Sequence, residues 1–136
     1  WEPIALGPHA DNPAATGPAG TIHTTLADWA RFVAAHLRGE HGDQDYLKPT
    51  TWQRLHTPGG IDWGYSPGWV VTEQEWAGGK LLRHIGSNNF WLAEASLAIR
   101  KDFAVLIVTN VSDEAVEAPF KELLAALVAD HAANHK

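Results

Sequence analysis

Lys80-Leu81-Leu82-Arg83-His84-Ile85-Gly86-Ser87 is the stretch on which the reading of this chain turns. Two leucines after Lys80 lead, through Arg83, into a polar residue, one spacer and a glycine. Such a strand end can present both a side chain and a bare main-chain edge. That suits acyl-transfer chemistry, where backbone N–H groups must reach a developing oxyanion. Just upstream, Ala77-Gly78-Gly79 is a hairpin-turn signal. Before it, Gly68-Trp-Val-Val-Thr72, extending to about Trp76, is β-branched and aromatic and reads as a strand. Lys80 to Ile85 is then the return strand, and Gly86 to Asn89 is expected to kink or bulge. Phe90 to Ile99 is apolar on both faces except at Glu94 and Ser96. Arg100-Lys-Asp102 turns the chain. Phe103-Ala-Val-Leu-Ile-Val108 is wholly apolar and is expected to be a central strand. Four strands on short connections make an antiparallel meander.

Helices flank this meander. Thr25-Leu-Ala-Asp28 resembles a capping box with Asp in place of Glu or Gln. Behind it Leu26, Trp29, Phe32, Val33, His36 and Leu37 share one helical face. Gly39 is placed to end that helix, and His36 reads as a packed histidine rather than a ligand. Pro49 starts a short helix to about His56 with Trp52 and Leu55 inward, and Pro58-Gly59-Gly60 breaks it. A last helix runs to His131 from either Glu114, capped by Ser112, or Pro119. Its stripe is Val116, Phe120, Leu123, Leu124, Leu127 and Val128, and Ala132 to Lys136 should fray. Residues 1–20, with Pro3, Pro8, Pro13 and Pro18, read as an irregular segment. The fold class is therefore α+β, a meander packed with helices. The apolar strand needs cover on both faces. The terminal helix supplies one cover; the first helix, or a part of the protein outside these residues, supplies the other. A partly open apolar face is expected, which a second copy could use as a homo-oligomer contact.

The chain has 136 residues, of which 45% are hydrophobic and 19% charged, so a folded domain is expected. A net charge of -6 argues against a nucleic-acid partner. With no cysteine there is no disulfide frame, thiolate nucleophile or Cys-type zinc site. No apolar run reaches membrane-spanning length. The chain starts at Trp1 and contains no methionine, so it reads as part of a longer one. Seven tryptophans (Trp1, Trp29, Trp52, Trp63, Trp69, Trp76 and Trp91) lack a fixed spacing, so packing is expected rather than a sugar-stacking platform.

Several stretches resemble the serine β-lactamase and penicillin-binding-protein family, in the right order over roughly residues 18–131. Pro18-Ala-Gly-Thr-Ile-His-Thr-Thr-Leu-Ala-Asp-Trp-Ala-Arg-Phe32 is similar to its Pro-Ala-Gly turn and capped helix. Leu47-Lys-Pro-Thr-Thr-Trp-Gln-Arg-Leu-His-Thr-Pro58 resembles its next helix. Gly64-Tyr-Ser-Pro-Gly-Trp-Val-Val71 resembles its Tyr-Gly-x-Gly-Trp strand, with Ser66-Pro67 intruding. His84-Ile85-Gly86 stands where the third catalytic motif, Lys-Thr-Gly or His-x-Gly, belongs. Phe103 to Asn110 resembles the last strand. The resemblance implies that residues 21–136 are the C-terminal part of a β-lactamase/transpeptidase-like domain. It also implies a serine hydrolase acting through an acyl-enzyme, with no cofactor and no metal. The other two motifs, Ser-x-x-Lys and Tyr-x-Asn or Ser-x-Asn, are absent from these residues. In the family they precede the Pro-Ala-Gly turn. The implied partners are that N-terminal part of the same domain and a small acyl substrate: a D-amino-acid peptide, an ester or a β-lactam. Histidine in place of lysine looks more like the carboxypeptidases, aminopeptidases and esterases of the family than its β-lactamases.

On this resemblance His84 lends charge or a hydrogen bond to the substrate carboxylate or the proton relay. Gly86 lets substrate backbone approach, or is simply a bulge glycine. The Ser87 N–H is one oxyanion donor, and Ile85, Asn88 and Asn89 line the substrate, with turn formation the plainer job for the two asparagines. The strand edge would pair with an extended substrate. His131 and His135, four apart, could clip a metal but read better as a solvated tail. The reading from a different class is a non-catalytic binding or interaction domain of the same fold. Two arrangements would defeat the hydrolase reading: a His84 buried under the terminal helix, or a neighbouring strand closing the open side of Ile85 to Ser87.

Overall fold

The structure is a computed structural model describing residues 5, 7, 10–60 and 64–135. Trp1, Pro3, Pro8, Trp63 and Lys136 lie outside the described residues. A 3-10 turn at Ala14–Thr16 leads into α1 (Gly17–Gly20), followed by α2 (Leu26–Glu40) and α3 (Pro49–Leu55). Then come β1 (Tyr65–Ser66), β2 (Trp69–Gln74), β3 (Gly79–Ser87), β4 (Leu92–Ala98), β5 (Phe103–Thr109) and α4 (Glu114–Asn134). The strands form one antiparallel sheet in the order β1-β2-β3-β4-β5. The α+β meander expected from sequence is present, with one more strand than the four anticipated.

Side-chain alternation divides the sheet into two faces. Leu82 stands opposite Val71 and Leu97, and His84 opposite Ala95. This face packs Trp69, Leu82, Ala95 and Leu97 against Val33 and Leu37 of α2. On the other face Val105 and Ile107 pack against Phe120 of α4, with Val116, Leu124 and Val128 around them. Each wholly buried leucine contributes about 2 kcal/mol relative to exposure. The helix that opens at Thr25, α2, is thus the second cover, so the described residues place a helix on each face of the sheet.

Local signals act largely as expected at the helix starts. The Thr25 hydroxyl accepts from the Asp28 N–H, and Pro49 opens α3. The start of α4 is settled by Asp113, whose side chain accepts from the Ala115 N–H; Ser112 is not the cap and Pro119 lies inside the helix. The helix holds through Asn134, past the point where fraying was expected. Pro18 sits in the first turn of α1, where its missing N–H costs nothing, so part of the segment read as irregular is helical.

Other expectations need correction. Gly39 does not end α2, which continues to Glu40. Its bare Cα instead lets the Trp52 indole of α3 lie against the helix, in space that a Cβ would occupy. The α2 stripe is broader than its contact: Leu26 and Phe32 are more than half exposed. Trp76 falls in a 3-10 turn rather than in β2, and Phe90 and Trp91 precede β4. Gly86 shows no bulge, since Gly86↔Ala93 and Ser87↔Leu92 keep the β3–β4 register. Most consequentially, Phe103 to Val108 is not central. A meander puts its last strand at the edge, and among the described residues β5 pairs only with β4.

Trp52 and Trp69 are core residues, while Trp91 is about half exposed. His131 stacks on Phe103 at 3.7 Å and on His135 at 4.4 Å, and no metal cluster occurs among the described residues. Replacing Gly39 with alanine should push the Trp52 ring off α2 and cost about 1–3 kcal/mol, as overpacking does. Chemical denaturation measures this, and an unchanged midpoint would mean that the α2–α3 contact is slack.

Candidate active site

β3 is paired on two sides in its first half and on one side in its second. β4 follows it from Leu81 to Ser87, but the ladder with β2 ends at Val70↔Arg83. The cause is the turn before β2. Ser66 pairs with Trp69, leaving Pro67-Gly68 as a two-residue connection. Gly68 has φ +88°, and Pro followed by a positive-φ glycine is a type II turn. The chain therefore doubles back into β1 instead of running on beside His84.

Main-chain direction follows from one hydrogen bond. The Val71 N–H donates to the Gly64 carbonyl at 2.8 Å, so the Val71 main chain faces away from β3. Its partner Leu82 accordingly points its main chain toward β4. Direction alternates along a strand, so Arg83, Ile85 and Ser87 point theirs to the β2 side. Beyond Arg83 that side carries no strand partner among the described residues. The N–H and C=O of Ile85 and Ser87 are thus directed to an open edge.

His84 is exposed and lies on the α2 face, away from α4. The Tyr65 hydroxyl approaches its Nε2 at 3.4 Å. Among the described residues, neither arrangement that would defeat the hydrolase reading occurs. Gly86 shares the face of His84, opposite Ala93, and a Cβ there would meet nothing within 4 Å. Ile85 projects from the opposite face, so toward His84 it offers only its main chain. The Ser87 hydroxyl is engaged with Ser112 at 2.6 Å and accepts from the Asn89 N–H at 2.9 Å. Asn88 Oδ1 accepts from the N–H groups of Phe90 and Trp91, and Asn89 takes φ +71°. Both asparagines shape the turn after β3. On the far face Glu94 is buried, and Arg83 grips it through two bonds of 2.8 Å, with Ser96 donating a third. Burial opposes its ionisation, but these bonds outweigh burial and hold its carboxyl below the usual range.

From His84 a groove of about 700 Å³ runs between the sheet and α2–α3. Trp29, Phe32, Leu47, Trp69 and His36 help to line it. His36 belongs to a buried chain of polar groups. Its Nδ1 meets His56 Nε2 at 2.7 Å, and His56 Nδ1 meets Glu40 Oε1 at 2.7 Å. The Lys80 ammonium donates to the same oxygen at 2.6 Å. Burial, then the neighbouring His56, lowers His36 to about 4. His56 is lowered by burial despite Glu40. Burial works against the Glu40 carboxylate, yet Lys80 and then His56 keep its pKa below the usual value.

The model of the Beta-lactamase family matches residues 1–130. This chain belongs to the Beta-lactamase family. Comparison with curated proteins and with solved structures finds no match. Family membership accords with the α+β sheet and supports a serine-hydrolase-like chain. For this family member, sequence reasoning placed His84, Gly86 and Ser87 on one strand end but missed two features. Tyr65 enters the sequence reading only as the tyrosine of the stretch similar to Tyr-Gly-x-Gly-Trp, yet the β1–β2 hairpin carries it to His84. The His36–His56–Glu40 chain escaped notice although His36 and Glu40 are four apart on one helix, a spacing that aims both at α3.

Acid should unfold this chain through the histidine pair. His36 titrates near 6.5 when unfolded and at about 4 when folded, so the folded state binds fewer protons between those values. Its contribution is fully present above pH 6.5 and is lost as pH falls toward 4, about 3 kcal/mol in all. Denaturant midpoints measured from pH 7.5 to 4.5 should fall steadily. A flat profile would show that the buried imidazoles accept protons without penalty.

Proposed function

We propose that this chain carries the third catalytic motif of a serine acyl hydrolase that works through an acyl-serine intermediate. The nucleophilic Ser-x-x-Lys and the Tyr-x-Asn motif would come from an N-terminal part of the same domain, and these 136 residues alone would be inert. The observation that carries the reading is the open edge of Ile85 to Ser87 beside an exposed imidazole. The serine hydroxyl attacks the substrate carbonyl, and the oxyanion is received by the Ser87 N–H and the nucleophile's own N–H. His84 donates a hydrogen bond to the substrate carboxylate or to the proton relay. The free edge of β3 aligns an extended acyl donor, with Gly86 and Ala93 keeping the floor shallow. Histidine at the third motif favours a peptide or ester, such as a D-amino-acid peptide, over a β-lactam. The edge of β5, unpaired among the described residues and with Val108 half exposed, together with exposed Leu26 and Phe32 on α2, supports a further layer from the N-terminal part.

Labelling with a fluorophosphonate or penicillin probe tests this on the protein extended upstream of Trp1. Acylation of a Ser-x-x-Lys serine is expected, and His84→Ala should slow it about 100-fold. No labelling, in a protein that lacks that motif upstream, would leave a non-catalytic binding domain. The main-chain role of Ser87 has its own signature. Ser87→Ala should change acylation by less than about threefold, whereas Ser87→Pro, which removes the N–H, should cost about 100-fold or more. Equal effects of the two substitutions would place the role on the hydroxyl.

A further inference from the structure

Tyr65 is held on both sides along the chain, although it belongs to none of the apolar clusters among the described residues. Gly64 before it takes φ +71°, and a Cβ there would stand 2.6 Å from the Val71 carbonyl oxygen, so the position calls for glycine. The Val71 N–H donates to the Gly64 carbonyl at 2.8 Å, and the Gly59 N–H to the Tyr65 carbonyl at 3.3 Å. After Tyr65 the buried Ser66 hydroxyl donates to the Trp69 carbonyl at 3.2 Å, across the Pro67-Gly68 turn. From this fixed main chain the phenol hydroxyl reaches His84 Nε2 at 3.4 Å, its one polar contact among the described residues. The two rings stand 6.4 Å apart with their planes tilted by 54°, too far to stack, so the polar tip makes the approach.

His84 has little else to orient it. Leu82 precedes it on the same face and lies in the core. Toward the strand end comes Gly86, which has no side chain, and across on β4 stands Ala95, which has only a methyl group. Neither restrains an exposed imidazole, and such a ring loses rotamer freedom whenever it must adopt one pose. A phenol hydroxyl both donates and accepts. It can therefore hold Nε2 whether that nitrogen carries a proton or a lone pair. Nδ1 has no partner among the described residues and is the nitrogen left for a substrate.

We propose that Tyr65 is a positioning residue for His84: its hydroxyl takes Nε2 and so turns Nδ1 toward the substrate. The hydrogen bond that the third motif lends leaves from Nδ1–H, and Tyr65 acts only through the imidazole. This assignment rests on the hydrolase reading. Hydrogen bonds around a catalytic group are often long before substrate arrives and tighten in the complex, which accounts for the 3.4 Å separation. The gain is preorganisation, since the ring is oriented before an acyl donor reaches the edge of β3.

Acylation kinetics of the protein extended upstream of Trp1, with a penicillin or an activated ester as probe, test the assignment. Tyr65→Phe should lower the maximal acylation rate about fivefold, the worth of one hydrogen bond, and leave the half-saturating probe concentration within about twofold. In a His84→Ala background the same substitution should change nothing further, because no imidazole is left to orient. A loss that persists without His84 would make Tyr65 a packing residue and overturn the assignment, and a Tyr65→Phe protein that is merely less stable would show that persistence. Nitrogen NMR of the histidine rings reads the contact without turnover. Tyr65→Phe should move the His84 Nε2 resonance more than that of Nδ1. An unmoved Nε2 resonance, or an unchanged acylation rate in a protein that labels normally, would also overturn the assignment. A protein that takes no label with its tyrosine intact would remove the hydrolase reading and the catalytic consequence with it, while the ring resonances would still decide whether Tyr65 holds Nε2.

Discussion

The site depends on a strand that loses one neighbour half-way along. β3 is locked between β2 and β4 as far as Arg83, which fixes its position, twist and register. Past Arg83 it keeps β4 and loses β2, because Pro67-Gly68 reverses the chain into β1. An edge held rigidly from one side presents unpaired N–H and C=O groups at fixed positions, which is what recognition by strand addition requires. An edge open along its whole length would lack that support and would invite pairing with other chains.

The two faces of the sheet solve the problem of buried charge in the same way. On the α4 face Glu94 is covered, and Arg83 supplies both counter-charge and two hydrogen bonds, with Ser96 adding a third. On the α2 side Glu40 is answered by Lys80 and by His56, which in turn holds His36. Each network pins strands or helices that apolar contact alone would leave free to slide. Each also contains a carboxylate whose partner cannot be removed without exposing a buried charge to low dielectric. The lysine that ties β3 to α2 stands four residues before His84, so the network that joins helix to sheet also anchors the strand of the site.

Much of the fold was legible along the chain because its causes are local. Thr25 and Asp28 mark a helix start through bonds within one turn, and Ala77-Gly78-Gly79 marks a hairpin through its dihedral needs. The strand sequence His84-Ile85-Gly86-Ser87 showed which residues share a strand end. Three misreadings have a common origin. Gly39 looked like a helix stop, Gly86 like a bulge and Phe103 to Val108 like a central strand. In each case the residue type fits two environments, and only a distant partner chooses between them: Trp52 for Gly39, Ala93 for Gly86, and the lack of a strand beyond β5 among the described residues.

The sequence by itself determined the elements, their order, the family pattern and the chemical character of the β3 end, since these follow from periodicity, turn dihedrals and residue type. Tertiary structure decided which strand lies at the edge, which main-chain groups stay unpaired, and which histidines share protons. Those outcomes depend on residues far apart in the chain meeting in space, His36 with His56 and Tyr65 with His84. Spacing along a chain does not encode a hydrogen bond between two helices; packing against the sheet brings its partners within reach.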